Sequence, residues 1–507
     1  MNFTIGSIKC FTQERNEIQR EAVKHGYVIL LGKSIDKVLG FGKNDSKRSQ
    51  MLVQITGTLR NLANDDDSYS RMCKSKVVQK LIQVLEKYNS PTNKELMQNI
   101  SRVLSKVSLD SECSKAIIAT GKLKFLADLL CDWQHQTLFV QRIAFVLANL
   151  TTYFDEAREQ IGTADQVKKI IAVSLYFFET DQQFYEDELR NQGRDFSPRT
   201  ADKIANQARV VEDTLVKLIR LVANLSTEEQ FIESITQSGE REMLNEFLTW
   251  MVSTLQRKKI GKSEEFILNS VSCATNLLFY DTPSKEVMFD EDLRIKIFKA
   301  VKMYVLETTN EELQIEAVRV LSNLSRHAKL CEEFVSDRQF IEALILILDH
   351  TLRELVFYTI GIIINMTMHD SPRAKLCQQQ PLLVGKLTDV LKDANIEDMD
   401  LAKVAGKALH NLAVCTKQEG ATFSWSSEQI KRVDEIVTNL GEELDSIMDV
   451  ANEEELEEIK GIRDLVNALI NDMPENTFDC PDAKCGRKFK NQGELDKHVQ
   501  RRHGSVK

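Results

Sequence analysis

The sequence predicts an all-α fold, a solenoid of stacked helical repeats closed by a helical cap and followed by a small zinc-binding unit. Three observations predict it. A six-residue phrase recurs through most of the chain, glycine and proline are scarce, and the last thirty residues space two cysteines and two histidines like zinc ligands.

The chain has 507 residues, with 20 glycines and 7 prolines, so long helices meet few breakers. Its 42% hydrophobic and 28% charged residues are enough to bury a core and stay soluble. The formal net charge of -10 argues against most of the chain lying on nucleic acid or an anionic membrane. The greasiest stretch is interrupted by Asp349, His350, Arg353 and Glu354, so it is not expected to span a membrane. The first twenty residues show neither a signal peptide nor a transit pattern. Eight cysteines outside the C-terminal unit are scattered among apolar residues and read as reduced thiols. The compartment expected is cytoplasmic.

The phrase reads TLRNLA, VLANLT, LVANLS, CATNLL, VLSNLS, IIINMT and ALHNLA, around Asn61, Asn149, Asn224, Asn276, Asn323, Asn365 and Asn411. A degenerate copy, VLSKVS, places Lys106 between the first two. The successive steps are 45, 43, 75, 52, 47, 42 and 46 residues, mostly inside the roughly 40–47 residues of two- or three-helix solenoid repeats. Apolar residues stand two before and one after each asparagine, a spacing that keeps both on one helix face. Asparagine disfavours helix interiors, because its amide competes for backbone hydrogen bonds. Seven at one phase require a reason.

The phrase resembles that of the armadillo-repeat family, L-x-N-L followed by a small residue, over roughly residues 45 to 415. The small residue is Ala63, Thr151, Ser226, Ser325, Thr367 or Ala413, and only Leu278 departs. The resemblance implies a right-handed superhelix whose third helices line a concave groove, where the asparagines bind the backbone of an extended partner segment. The alternative is that they tie neighbouring repeats together. Nuclear-import receptors of that family carry tryptophan four residues before many of these asparagines. Here those positions hold Gly57, Phe145, Arg220, Ser272, Arg319, Gly361 and Lys407, which argues against that role. Arg220, Arg319 and Lys407 point instead to a partly basic groove for an acidic segment, or are ordinary solvated charges.

The 75-residue step contains a polar insert, residues 180–209, expected to leave the solenoid as a loop or short helical excursion around Gly193 and Pro198. Phe184, Tyr185 and Phe196 are its candidate anchors for a partner, or pack back on the array. The stretches Val140–Gly162 and Leu215–Ser226 on either side resemble an armadillo-repeat-containing family of motile cilia. That likeness implies a part in assembling axonemal structures such as radial spokes and the central pair.

Residues 427 to 471 read as two amphipathic helices, suited to cap the array. Between Asn439 and Ile459 they carry nine acidic residues and no basic one, whereas eight lysines and arginines follow from Lys484. The spacing C-x4-C-x12-H-x4-H then sets Cys480, Cys485, His498 and His503 as a tetrahedral zinc site. With Phe478, Phe489 and Leu495 as its core, the segment resembles a two-cysteine, two-histidine ββα finger. So short a unit folds only with its metal. Its base-reading positions would be Asn491, Glu494 and Lys497, but one finger covers about three base pairs and cannot specify a genomic site.

The expected organisation is an N-terminal helical segment (1–44), the solenoid (45–415), capping helices (416–474), and the finger with its basic tail (475–507). No phosphate loop, H-E-x-x-H or nucleophile elbow occurs, and His25, His135, His327, His350, His369 and His410 lack metal-ligand spacing. The function expected is a non-enzymatic scaffold or adaptor that holds a protein segment or joins a larger assembly, with no membrane partner. The axoneme is its expected specialised location, and the nucleus is disfavoured. The alternative is a nucleic-acid-associated regulator acting through the finger.

Overall fold

A computed structural model describes residues 2–40, 46–191, 197–237, 241–283, 288–417, 423–448, 451–474, 478–479, 488–489 and 497–499. The chain divides into two compact units, 1–280 with 288–293, and 281–287 with 294–507.

In the first unit, α1 (Asn2–Thr12) is followed by five sets of three helices. They are α2 (Asn16–Lys24), α3 (Tyr27–Leu39) and α4 (Ser46–Leu62), then α5 (Asp66–Lys74), α6 (Val77–Tyr88) and α7 (Lys94–Val107). Next come α8 (Ser111–Ile118), α9 (Leu123–Asp132) and α10 (Thr137–Tyr153), then α11 (Asp155–Ile161), α12 (Ala164–Arg190) and α13 (Pro198–Leu225). The last set is α14 (Glu229–Gln237), α15 (Arg241–Leu255) and α16 (Glu264–Phe279). Third helices stack in order, α1 on α4, then α7, α10, α13 and α16. Stacking therefore begins before residue 45, because α1 already serves as a third helix and α3 packs on α6.

Into the second unit runs α17 (Glu291–Glu307), followed by α18 (Glu311–Leu324). Then come α19 (Ala328–Ser336), α20 (Arg338–Ile347) and α21 (Arg353–Thr367), and α22 (Asp370–Gln379), α23 (Leu383–Ala394) and α24 (Met399–Thr416). The two capping helices are α25 (Ser427–Met448) and α26 (Glu453–Asp472). They pack on α23 and α24 as a further second and third helix would. An Asn452–Glu455 capping box starts α26.

Short polar residues punctuate the array. Asp65, Asp110, Asn310, Asp337 and Asp398 each accept a hydrogen bond from a backbone N–H in the first turn that follows. Between them the apolar stripes are buried, as in the ring cluster of Phe298, Phe334 and Phe340, with centroids 4.6 to 5.3 Å apart. Among the described residues the set containing α17 and α18 has no first helix. There the buried carboxylate of Asp281 accepts from Arg294 at 2.6 and 2.8 Å and lies 3.2 Å from His327 Nε2.

Of the two forms expected for the insert, its described residues take the helical one: they lengthen α12 to 27 residues and α13 to 28 residues, which pack against each other. The reason is local chemistry. Gln182, Glu186 and Arg190 support one another at i, i+4, and Ser197 caps a helix with Pro198 at its start, where proline is tolerated. The hairpin is anchored at its base. Buried Asp181 pairs with Arg257 at 2.8 Å and Lys258 at 3.0 Å, Lys258 reaches Glu212 at 2.6 Å, and the Arg257 guanidinium lies 5.1 Å over the Tyr185 ring. Tyr185 thus packs back on the array, while Phe196 lies outside the described residues. We expect Asp181→Asn to cost about 2 kcal/mol, the scale of a hydrogen bond to a charged group. Hydrogen exchange should show the loss in the base of the hairpin, with α1–α7 unchanged.

Candidate functional site

Each asparagine of the phrase lies near the C-terminal end of a third helix, where the last carbonyls lack helical partners. In six of the seven the amide reaches the end of the preceding third helix. Asn61 Nδ2 donates to Lys9 O at 3.0 Å, and Asn149 Nδ2 to Ser108 Oγ at 3.0 Å. Asn224 Nδ2 donates to Ala148 O at 2.9 Å and Thr151 Oγ1 at 3.0 Å, and Asn276 Nδ2 to Ala223 O at 3.0 Å. In the second unit Asn365 donates to Ser325 Oγ at 2.7 Å and Asn411 to Thr367 Oγ1 at 3.0 Å. The small residue of the phrase is therefore an acceptor. In four of these rungs it is the serine or threonine two places after the residue at the asparagine position in the preceding copy.

The degenerate copy makes the same tie. Ala63 has no hydroxyl, and Lys106 Nζ reaches its carbonyl at 2.8 Å. First helices seal the same ends from the other side, as Ser114 does to Ser108 O at 3.0 Å and Arg373 to Thr367 O at 3.1 Å. Asn149 and Asn323 are buried, and the other five asparagines are half-buried.

The basic residues expected in the groove are divided between the two units. Arg220 donates to Thr152 Oγ1 at 3.1 Å in the first unit. Arg319 is neutralised by Glu316 at 2.6 Å and lies 5.5 Å over Tyr358, and Lys407 is exposed two stacking steps away on α24. The structure brings other cations together on α4, α7 and α10, namely Arg60, Arg102, Lys106 and Arg142. Lys106 Nζ lies 3.4 Å from Arg60 O, Arg60 donates to Asn99 Oδ1 at 3.0 Å, and Arg142 to Gln98 O at 3.1 Å. Gln98, Arg102 and Lys106 share one face of α7 at i, i+4, i+8.

Among the described residues none of these four cations has a carboxylate within salt-bridge distance. The nearby Glu95 pairs with Lys9 at 3.6 Å. Burial and the neighbouring cations depress Arg142 to about 10, and burial and the same repulsion lower Arg60 and Lys106. Arg142 stays charged at neutral pH. A signal was present in the sequence, since Arg102 stands four residues before Lys106, the phase of Arg220, Arg319 and Lys407. It sits in the copy that lacks asparagine.

No family model matches the chain. Among curated proteins it is 27% identical over 420 residues to armadillo repeat-containing protein 2 of Bos taurus, covering 81% of this chain and 45% of that protein. The chain thus spans less than half the length of the curated relatives it matches. Among solved structures it is similar to one from work on a phosphorylation switch controlling the interaction between cadherin and β-catenin. That likeness has a TM-score of 0.60 at 14% identity, over 93% of this chain and 87% of that one. A crystal structure of an engineered protein matches with a TM-score of 0.57 at 17% identity, over 92% and 95% of the two chains. The fold is that of an armadillo-repeat array.

Beyond the armadillo sets, β1 (Phe478–Asp479) pairs antiparallel with β2 (Lys488–Phe489), Phe478 opposite Phe489. His498 is buried within a short helical stretch, residues 497–499. Cys480, Cys485 and His503 lie outside the described residues, as do Asn491 and Glu494. Within the armadillo helices the eight remaining cysteines are free thiols, five of them buried.

Proposed function

We propose that this chain is a non-enzymatic protein-binding scaffold. An extended segment of a protein partner lies along its third-helix face, and a C-terminal zinc finger makes a second, shorter contact. The observation that carries the reading is the set of four cations on α4, α7 and α10, without a carboxylate partner among the described residues, in a chain of net charge -10. Like charges held together repel one another, and an anionic partner segment relieves that repulsion. With Asn149 and Asn323 buried, contact with the segment falls to the basic residues and the half-buried asparagines.

For the finger, Cys480, Cys485, His498 and His503 hold one zinc ion. Their spacing, the pairing of β1 with β2 and the burial of His498 support this. Two modest contacts on one scaffold gain from effective concentration when the partner spans both. The working site is the cytoplasm and, on the resemblance carried by Val140–Gly162 and Leu215–Ser226, an axonemal assembly. Among the described residues no helix is long and apolar enough to cross a membrane.

The test is partner capture with the full chain, followed by hydrogen exchange on the complex. Protection should concentrate on α4, α7, α10 and α13. Protection confined to first and second helices would remove the groove from the mechanism. Tight duplex binding by the finger that weakens steeply with salt would favour the nucleic-acid regulator. Zinc removal has its own expected outcome. A chelator, or Cys485→Ser, should unfold only residues 478–503 and leave the array's helical signal and melting temperature nearly unchanged. Loss of most helical signal would refute separate cores.

A further inference from the structure

Beside the four cations, the first unit has a cleft of about 840 Å3 between α7, the start of α10 and the α12–α13 hairpin. Three helix faces converge on it. Gln98 comes from α7, Phe184 from α12, and Lys203 and Val210 from α13, while Leu138 stands at the mouth of α10. The wall is graded. Val210 lies toward the array and Lys203 toward the hairpin tip, with Phe184 half-buried opposite and Leu138 still 43% exposed. A leucine so placed, facing a phenylalanine across an open cleft, leaves apolar surface in water that one large side chain could cover.

The cleft is continuous with the cations through α7. Gln98 lines it, its carbonyl receives Arg142, and Arg102 stands one turn further along the same face. A chain lying over Arg102 and Arg142 is therefore led to the cleft by the helix surface itself. The hairpin that forms the far wall is the lengthened part of α12 and α13, the feature that sets this copy apart from its neighbours.

We infer that this face recognises an anionic partner segment carrying one large apolar side chain. The acidic groups lie over Arg60, Arg102, Lys106 and Arg142, and the apolar side chain enters between Leu138 and Phe184. This rests on the scaffold reading and assigns the charge and shape of what it holds. Charge complementarity selects the occupant, since four cations without carboxylate partners among the described residues repel a basic segment and accept an acidic one. Arginine forks suit carboxylate and phosphate alike. The shared requirement is an oxyanion.

The test uses the full chain and fluorescein-labelled peptides read by anisotropy. The probes are a short run of glutamates with one central phenylalanine, the same peptide with alanine in its place, its phosphoserine counterpart, and a lysine counterpart. The phenylalanine probe should bind roughly 10-fold tighter than the alanine probe. Arg102→Glu with Arg142→Glu should weaken both by at least about 10-fold, while Leu138→Asp should abolish the phenylalanine advantage and spare the alanine probe. Tighter binding of the phosphoserine probe, with the same sensitivities, would support the inference with phosphate as the anion.

Arg102→Gln controls for folding. Arg102 makes no side-chain hydrogen bond among the described residues, so its loss should leave the melting temperature unchanged or raised while weakening the probe. The inference is overturned if the lysine probe binds as well, if the double charge reversal changes nothing, or if a single-stranded oligonucleotide binds more tightly than every peptide. If a native partner still protects the third helices of the Arg102→Glu, Arg142→Glu chain, this recognition fails and the scaffold reading stands. Protection elsewhere would sink the scaffold reading itself.

Discussion

Asp281→Asn is expected to destabilise the second unit by roughly 3–5 kcal/mol, because it leaves the buried guanidinium of Arg294 without its counter-charge. The carboxylate is enclosed where the other sets place a first helix, and it accepts both Arg294 bonds and contacts His327. Burial alone would raise its pKa. The hydrogen bonds from His327 and Arg294, with the Arg294 charge, outweigh that and hold it at about 2. A folded pKa below the unfolded value means that the stabilisation is complete above the ordinary carboxylate range. It is lost as pH falls from about 4 toward 2, to the extent of about 2 kcal/mol.

Hydrogen exchange over α17, α18 and α19 should report the change, with α4–α10 as the internal control. Replacing the pair together, Asp281→Leu with Arg294→Met, should recover much of the loss, since well-packed apolar residues often substitute for a buried ion pair. A single-variant loss below about 1 kcal/mol would mean that the network is solvated and does not hold this set together as a first helix does elsewhere.

Asn149→Ala is expected to cost about 1–3 kcal/mol, the penalty for leaving a buried polar group without its partner. The side chain is buried and its amide is spent on Ser108 Oγ, so nothing of it faces a ligand. Alanine's better helix propensity offsets a few tenths of that at most. The asymmetry of hydrogen-bond energetics supplies the check. Asn149→Leu with Ser108→Ala removes donor and acceptor together and should cost far less than either change that leaves one partner orphaned. Affinity for a partner segment should stay constant throughout. A fall in affinity without a fall in stability would return the asparagines to the role of ligand contacts, the pattern expected for Arg102.

The two experiments separate what was legible in the sequence from what was not. The phrase around Asn61, Asn149 and their successors determined the helices, their repeat length and the buried stripe, because spacing of three and four residues acts within one helix. It also marked the small residue after each asparagine. That Ser108, Thr151, Ser325 and Thr367 accept from the next copy could not be read there, since it depends on how one third helix registers against another 40 or more residues away.

The insert was legible in part. Its polar composition left a loop and a short helical excursion both open, and good helix formers supported at i, i+4 continue a helix once its base is anchored, here by Asp181 on Arg257 and Lys258. The zinc site rests on the spacing of Cys480, Cys485, His498 and His503, three of which lie outside the described residues. The basic face was the largest omission. Arg60, Arg102, Lys106 and Arg142 are ordinary surface residues along the chain, and only the stacking of α4, α7 and α10 makes them one surface. Sequence alone determined the repeat and its phase, because both are local. Tertiary structure decided which copies meet and what charge they present, because that is fixed by packing between helices far apart in the chain.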